Sequence, residues 1–188
     1  MSRWEPNARG RLEKAALELY SERGFEQTTV TEIAKRAGLT ERTFFRHYAD
    51  KREVLFAGSA MLEELMVGAL EGAPDSATPI DAVALALDAA ATAFEERHAH
   101  ARQRQKVIAA NAELRERELI KLASLSAALA DALRRRGVTD PAASLAAEAG
   151  IAVFKIGFER WVGESDPQGM SRIMRESFDE LKAVTAGD

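Results

Sequence analysis

At 188 residues, 46% apolar and with a net charge of −4, the chain can hold one large domain, or a small one joined to a larger one, and bury a real core. It has no cysteine, which excludes disulfides, thiol switching and thiolate metal sites. Its three histidines come with no serine-centred or glycine-rich loop motif, so no nucleophile–base pair or phosphate cradle supports an enzyme.

Charge is divided unevenly along the chain. Residues 1–56 hold 11 Lys and Arg against 9 Asp and Glu, a net +2; the remainder holds 15 against 21, a net −6. A modestly positive head on an acidic body suits local docking on DNA rather than bulk adsorption. Arg3, Arg9 and Arg11 precede the first helix and are expected to form a basic arm along the DNA backbone or minor groove.

Thr29 to Lys51 reads as two short helices joined by a glycine turn. Thr29-Val30-Thr31-Glu32 fits a capping box, and Ile33, Ala34 and Ala37 mark one apolar face. Gly38 stands where the chain leaves that helix with a positive φ, and Leu39 plugs the gap between the helices. Thr40 caps a second helix over about 41–48, with Phe44 and Tyr48 facing the core. Asp50 to Glu53 reads as another capping box, predicting a new helix from Lys51. Thr29, Thr31, Thr40, Arg42, Thr43, Phe45, Arg46, His47 and Lys51 are the candidate DNA contacts. A helix in the major groove can put arginine bidentately on guanine, and a cation in the first turn of a helix joins backbone N–H groups that favour a phosphate. Surface arginines often have no specific role, so the case rests on the agreement of caps, turn and basic residues.

On these residues the stretch 9–56 resembles the DNA-binding domain of TetR-family transcriptional regulators. Gly24-Phe25, the threonine-rich lead 28–34, the Ala37–Thr40 turn, and Phe45, Arg46, His47, Tyr48 and Lys51 occupy the family's motif positions. Chain length and the all-helical pattern extend the likeness. The resemblance implies a DNA-binding head, at 1–50, on a helical ligand-binding and dimerisation body, at 51–188. The family commonly has tyrosine, whose hydroxyl meets a phosphate, where this chain has Phe45; that leaves packing or contact with a thymine methyl.

The remaining pattern is all-α. One helix is expected from Lys51 to about Leu70, and the loop 72–79 is rich in Pro, Gly and Ser. Thr78-Pro79 opens a helix to about Arg97. Others cover about 101–110 and 112–136, with Arg134, Arg135 and Arg136 favourable at the C-terminus of the latter. Asp140-Pro141 and Asp166-Pro167 open two more, to about Val162 and Ala183. No stretch resembles a signal peptide, and Asp88 breaks the longest apolar run, so neither a membrane span nor a membrane partner is expected and the location is read as cytoplasmic.

In the helix after Pro141, Leu145, Ala149, Ala152, Val153 and Ile156 mark one stripe, and Phe154, Phe158 and Trp161 another, so the helix must be buried on two sides. Gly150 and Gly157 allow close helix approach, and Ile173, Met174, Phe178 and Leu181 recur at helical spacing in the last helix. The resemblance implies that these two helices pair with their copies in a homodimer; an intramolecular core must account for part of the surface.

The resemblance also implies a small-molecule effector in the body. Met61, Leu65, Phe94, Phe154, Phe158 and Trp161, with polar character from His98 or Arg102, are the candidate lining of a mainly apolar cavity. Large apolar residues at helical spacing are more often plain core. His98 and His100, two apart, point to different helix faces, and no metal or cofactor is expected. The sequence therefore reads as a homodimeric repressor released from a palindromic DNA operator by a small ligand. A DNA-binding activator or scaffold without an effector fits the same head.

Overall fold

The computed structural model describes residues 7–164 and 169–186. Nine α-helices and no strand occur among the described residues. In chain order they are α1 (Ala8–Arg23), α2 (Val30–Arg36), α3 (Glu41–His47), α4 (Ser59–Glu71), α5 (Pro79–Phe94), α6 (His98–Ala110), α7 (Ala112–Arg135), α8 (Ala142–Gly163) and α9 (Met170–Ala186). They fall into two compact units, one of Met1–Gly58 with Gln103–Glu118, the other of Ser59–Arg102 with Leu119–Asp188. The division expected after residue 50 thus falls eight residues later, and the first unit recruits a segment from mid-chain.

In the first unit α1 packs on α2 and α3 around Leu12, Leu19, Phe25, Ile33 and Phe44, all essentially inaccessible, and Ile108 and Leu114 complete the core. The caps predicted from the sequence are present. Thr29 and Glu32 form the reciprocal box, Gly38 turns at φ 65°, and the Thr40 hydroxyl accepts from Thr43 N–H. Gly24, at φ 88°, ends α1 and delivers Phe25 edge-on to Tyr20, with ring centroids 5.2 Å apart.

The helix predicted from Lys51 is a correction. Asp50 Oδ1 does accept from the Arg52 and Glu53 amides, at 2.8 and 3.2 Å, but it opens only the 3₁₀ turn Glu53–Phe56, and α4 begins at Ser59. The Glu53 carboxylate pairs with Arg117. Val54, Leu55 and Phe56 are buried in succession, which suits a segment enclosed on several sides rather than an amphipathic helix. The basic arm is also corrected. Arg9 and Arg11 lie within α1, where Arg9 bonds the Tyr48 hydroxyl and the Ala57 carbonyl, and Arg11 bonds the Ala37 carbonyl. Arg3 lies outside the described residues.

In the second unit α5 packs on α4, α8 and α9. Ala82, Ala86 and Ala90 place small side chains one turn apart along α5, and all three are fully buried, so neighbouring helices can approach closely. Gly150 and Gly157 serve this packing. A Cβ on Gly150 would strike the Val83 side chain, and one on Gly157 would lie 2.9 Å from Met174 Sδ. Arg134, Arg135 and Arg136 do more than neutralise their own helix end. Arg136 donates to the carbonyls of Glu71, the last residue of α4, and of Ala73 and Pro74 beyond it, Arg135 pairs with Glu71, and Arg134 joins Asp131 to Asp140. Asp140 pairs with Arg134 and accepts from Ser144 in the first turn of α8, whose N-cap residue Pro141 has no side chain to cap it. Asp166 and Pro167 lie outside the described residues. The helix predicted to reach Arg97 ends at Phe94, and a 3₁₀ turn, Glu95–Arg97, leads directly into α6. No helix among the described residues is long and apolar enough to cross a membrane.

Candidate nucleic-acid interface

The seven residues of α3 divide cleanly. Phe44 is wholly buried, whereas Arg42, Phe45, Arg46 and His47 are exposed. Arg42, Phe45 and Arg46 stand at i, i+3 and i+4 and so share one face. Around them arginines are spoken for. Arg23 pairs with Glu32, Arg36 with Glu18 and Glu22, Arg52 with Asp50, Arg104 bonds the Leu55 carbonyl, and Arg117 pairs with Glu53. No hydrogen bond or ion pair engages Arg42 or Arg46 among the described residues. Guanidinium groups left without an internal acceptor on one exposed face are available to an external anion or base edge.

The threonines are exposed or half-buried beside this face, but their hydroxyls already have partners. Thr29 is bound into the Glu32 box, Thr31 donates to Glu41 at 2.5 Å across α2 and α3, and Thr40 and Thr43 bond one another at 3.1 Å. They fix the angle and ends of the two helices. The bonds from Thr29 N–H and hydroxyl, with Arg23 close by, hold the Glu32 carboxyl below its ordinary range.

Lys51 is placed differently from the sequence expectation. It is not in a helical first turn. Its ammonium donates to the carbonyls of Phe25, Glu26 and Thr28 at 2.9, 3.4 and 3.1 Å. Tyr20 Oη donates to the Lys51 carbonyl at 2.6 Å, and burial pushes that phenol's pKa up, so it stays protonated. Tyr20 and Lys51 together tie the loop before α2 to the end of α3, a role sequence reasoning missed. Carbonyls leaving a loop such as 24–29 carry no side-chain signature that could announce it.

The residues expected to line an effector cavity differ in exposure. Met61 and Leu65 are 73% and 38% exposed. Phe94, Phe154, Phe158 and Trp161 pack on one another with ring centroids 5.6–6.4 Å apart, and His98 stands edge-on to Trp161 at 4.8 Å with its Nε2 2.8 Å from the Trp161 carbonyl. Arg102 is half-buried. A cleft of about 230 Å³ beside α5 and α9 touches Leu87, Asp88, Met174 and Phe178 and none of those eight residues. No cluster of metal-ligating side chains occurs among the described residues.

The residues expected at a dimer surface divide by their burial. Gly150, Val153, Gly157, Ile173, Met174 and Phe178 are buried within their own chain, and Leu181 packs partly against that core. Both the glycine face and the Phe154, Phe158 and Trp161 stripe of α8 are buried within this chain. Leu145 and Ile156, 66% and 55% exposed, lie with Ala149 and Ala152 along the outward side of α8.

Residues 12–57 match the model for bacterial regulatory proteins of the tetR family, and residues 77–186 match that for the MftR C-terminal domain. Over 75 residues the chain is 40% identical to the HTH-type transcriptional regulator TcmR of Streptomyces glaucescens, a match spanning 40% of this chain and 33% of that protein. It is 26% identical over 175 residues to the protein named as a mycofactocin biosynthesis transcriptional regulator, MftR, of Mycobacterium tuberculosis, covering 92% of this chain and 88% of that one. Its fold is similar to that of the regulator FadR from Bacillus subtilis in complex with stearoyl-CoA, with a TM-score of 0.64 at 20% identity over 92% of this chain and 96% of that one.

Proposed function

The chain belongs to the TetR family of bacterial regulatory proteins, DNA-binding transcription factors rather than enzymes, and on that premise we propose that it is a cytoplasmic homodimeric repressor that reads a palindromic operator through α3. The observation that carries the reading is the pair Arg42 and Arg46, without a partner among the described residues on the exposed face of α3 while neighbouring arginines are engaged. Two such helices in a dimer read half-sites about 34–36 Å apart, or a multiple of that. The outward apolar side of α8 supports the dimer, since Leu145, Ala149, Ala152 and Ile156 follow a 4-3-4 spacing that fits a helix–helix seam.

Release by a small, mainly apolar effector bound to the body completes the proposal. It draws support from the likeness of the whole fold to a FadR described with stearoyl-CoA bound. Such a ligand must prefer one conformer, and a ~100-fold loss of operator affinity needs only ~3 kcal/mol of coupling. One observation favours a second reading. Phe94 of α5 packs on Phe154 and Phe158 of α8, with ring centroids 6.4 and 5.6 Å apart, as a core in a DNA-binding activator or scaffold without an effector would.

Selection of bound genomic DNA fragments, retested at two salt concentrations, tests the first element. An enriched palindrome that survives moderate salt supports sequence-specific reading by a dimer. Binding without an enriched motif, or lost at modest salt, removes it. A thermal-shift screen of apolar small molecules then separates the two readings, because only an effector-responsive body yields a compound that both stabilises the chain and displaces the operator.

A further inference from the structure

Phe45 is an anomaly on the face that carries the proposed contacts. It is 54% exposed between Arg42 and Arg46, and its ring rests edge-on against Phe44 at 5.5 Å and 81°. It is therefore neither buried as core nor loose. Phe44 is locked in the centre of the first unit, so one edge of Phe45 is held and the rest of the ring is presented outward.

We infer that Phe45 is a base-reading residue that selects a thymine in each half-site through its 5-methyl group. The inference rests on the reading of α3 as the DNA-reading helix. A phenyl ring offers no hydrogen-bond donor or acceptor, so it can satisfy none of the polar groups on a base edge. Set against a phosphate it would displace water and return nothing. The apolar feature of a base-pair edge in the major groove is the thymine methyl, and apolar side chains, phenylalanine included, make contact there. Arg42 and Phe45 are one helical turn apart, about 5–6 Å between Cβ atoms, against about 3.4 Å per base pair along the duplex. The thymine read by Phe45 thus lies within about two base pairs of the base read by Arg42. Hydrogen-bonding and apolar readers side by side on one short helix fix both register and identity.

The test uses the full chain and the operator recovered by genomic selection. Each thymine of the half-site is replaced in turn by deoxyuridine, which deletes the methyl and keeps base pairing, and affinity is measured at fixed salt for the wild type, Phe45→Ala and Phe45→Leu. One position in each half-site is expected to cost the wild type about 4-fold, the worth of one buried methyl. Phe45→Ala should bind thymine and deoxyuridine equally at that position, and Phe45→Leu should keep part of the preference. Because the side chain is mostly exposed, these variants are expected to keep the wild-type melting temperature. A wild type indifferent to every replacement, or an equal penalty in Phe45→Ala, overturns the inference while leaving DNA reading intact. Failure to recover any operator overturns the DNA reading and this inference with it.

Discussion

Lys51 Nζ donates to the Phe25 carbonyl at 2.9 Å and stands 4.3 Å from the centroid of the same residue's ring. One ammonium thus engages both the backbone and the π-face of the residue that follows the end of α1, and two further carbonyls, of Glu26 and Thr28, complete its shell. Position and partners make Lys51 a fastener of the α1–α2 loop.

Lys51→Ala should therefore lower the stability of the chain by about 1.5–3 kcal/mol, the range for hydrogen bonds to a charged donor. It should weaken DNA binding on every sequence alike while leaving the salt dependence unchanged. A residue that neutralises a phosphate would instead lower the salt slope by ~1 when removed. Melting curves, together with binding titrations at several salt concentrations, separate the two outcomes.

Arg42→Ala should leave stability unaltered, since the side chain has no internal partner among the described residues. Bidentate reading of guanine predicts a loss of ~1–3 kcal/mol in operator affinity and relaxed preference at a single base position. Competition binding against a library randomised across the half-site is the measurement. An equal loss on all sequences would reassign Arg42 to the phosphate backbone.

Most of the first unit was legible because its signals are local. A threonine and a glutamate three apart fix a capping box, and a glycine at φ 65° needs no distant neighbour to explain it. What sequence could not reveal depends on contacts far along the chain. The Glu53 carboxylate pairs with Arg117, 64 residues away, and three buried residues in a row replaced the expected helix start. On the body side, heptad spacing placed Gly150 and Gly157 on a helix–helix contact but could not say whose helix. Val83 and Met174 of the same chain answer that. An aromatic stripe at helical spacing likewise looks the same whether it lines a cavity or fills one.

Gly150→Ala tests the internal assignment. Its methyl would run into the Val83 side chain, and overpacking of this kind costs typically about 1–3 kcal/mol. Val83→Ala in the same chain makes room and should recover part of that loss, a coupling expected of residues in contact. Thermal unfolding of the two single variants and the double variant measures it. Strictly additive losses would mean that the contact does not govern the effect.

The outward side of α8 makes the complementary prediction. Leu145→Glu with Ile156→Glu places charge on two residues already exposed in the single chain, so the fold should survive and the melting curve stay cooperative. In the proposed dimer both charges would be buried unpaired, and micromolar samples should shift to the monomer mass. Light scattering reads this directly, and an unchanged dimer mass would move the interface elsewhere.

Glu32 gives the head a pH dependence whose sign follows from its bonds. Thr29 N–H and the Thr29 hydroxyl each lie 3.0 Å from its Oε2, and Arg23 Nη1 is 2.8 Å from its Oε1. These hold the folded carboxyl below its ordinary value. The stabilisation is therefore fully present above the unfolded pKa, about 4.3, and is lost as pH falls through the lower folded value. Glu32→Gln keeps an acceptor for the cap but has no charge to titrate. The wild type should melt above Glu32→Gln at neutral pH, and the gap should close progressively once the pH drops below about 4. Melting temperatures of both proteins from pH 7 to pH 3 provide the comparison. A gap constant over that range would mean that the charge of Glu32 contributes nothing to the cap, leaving the Thr29 hydroxyl to hold the start of α2 alone.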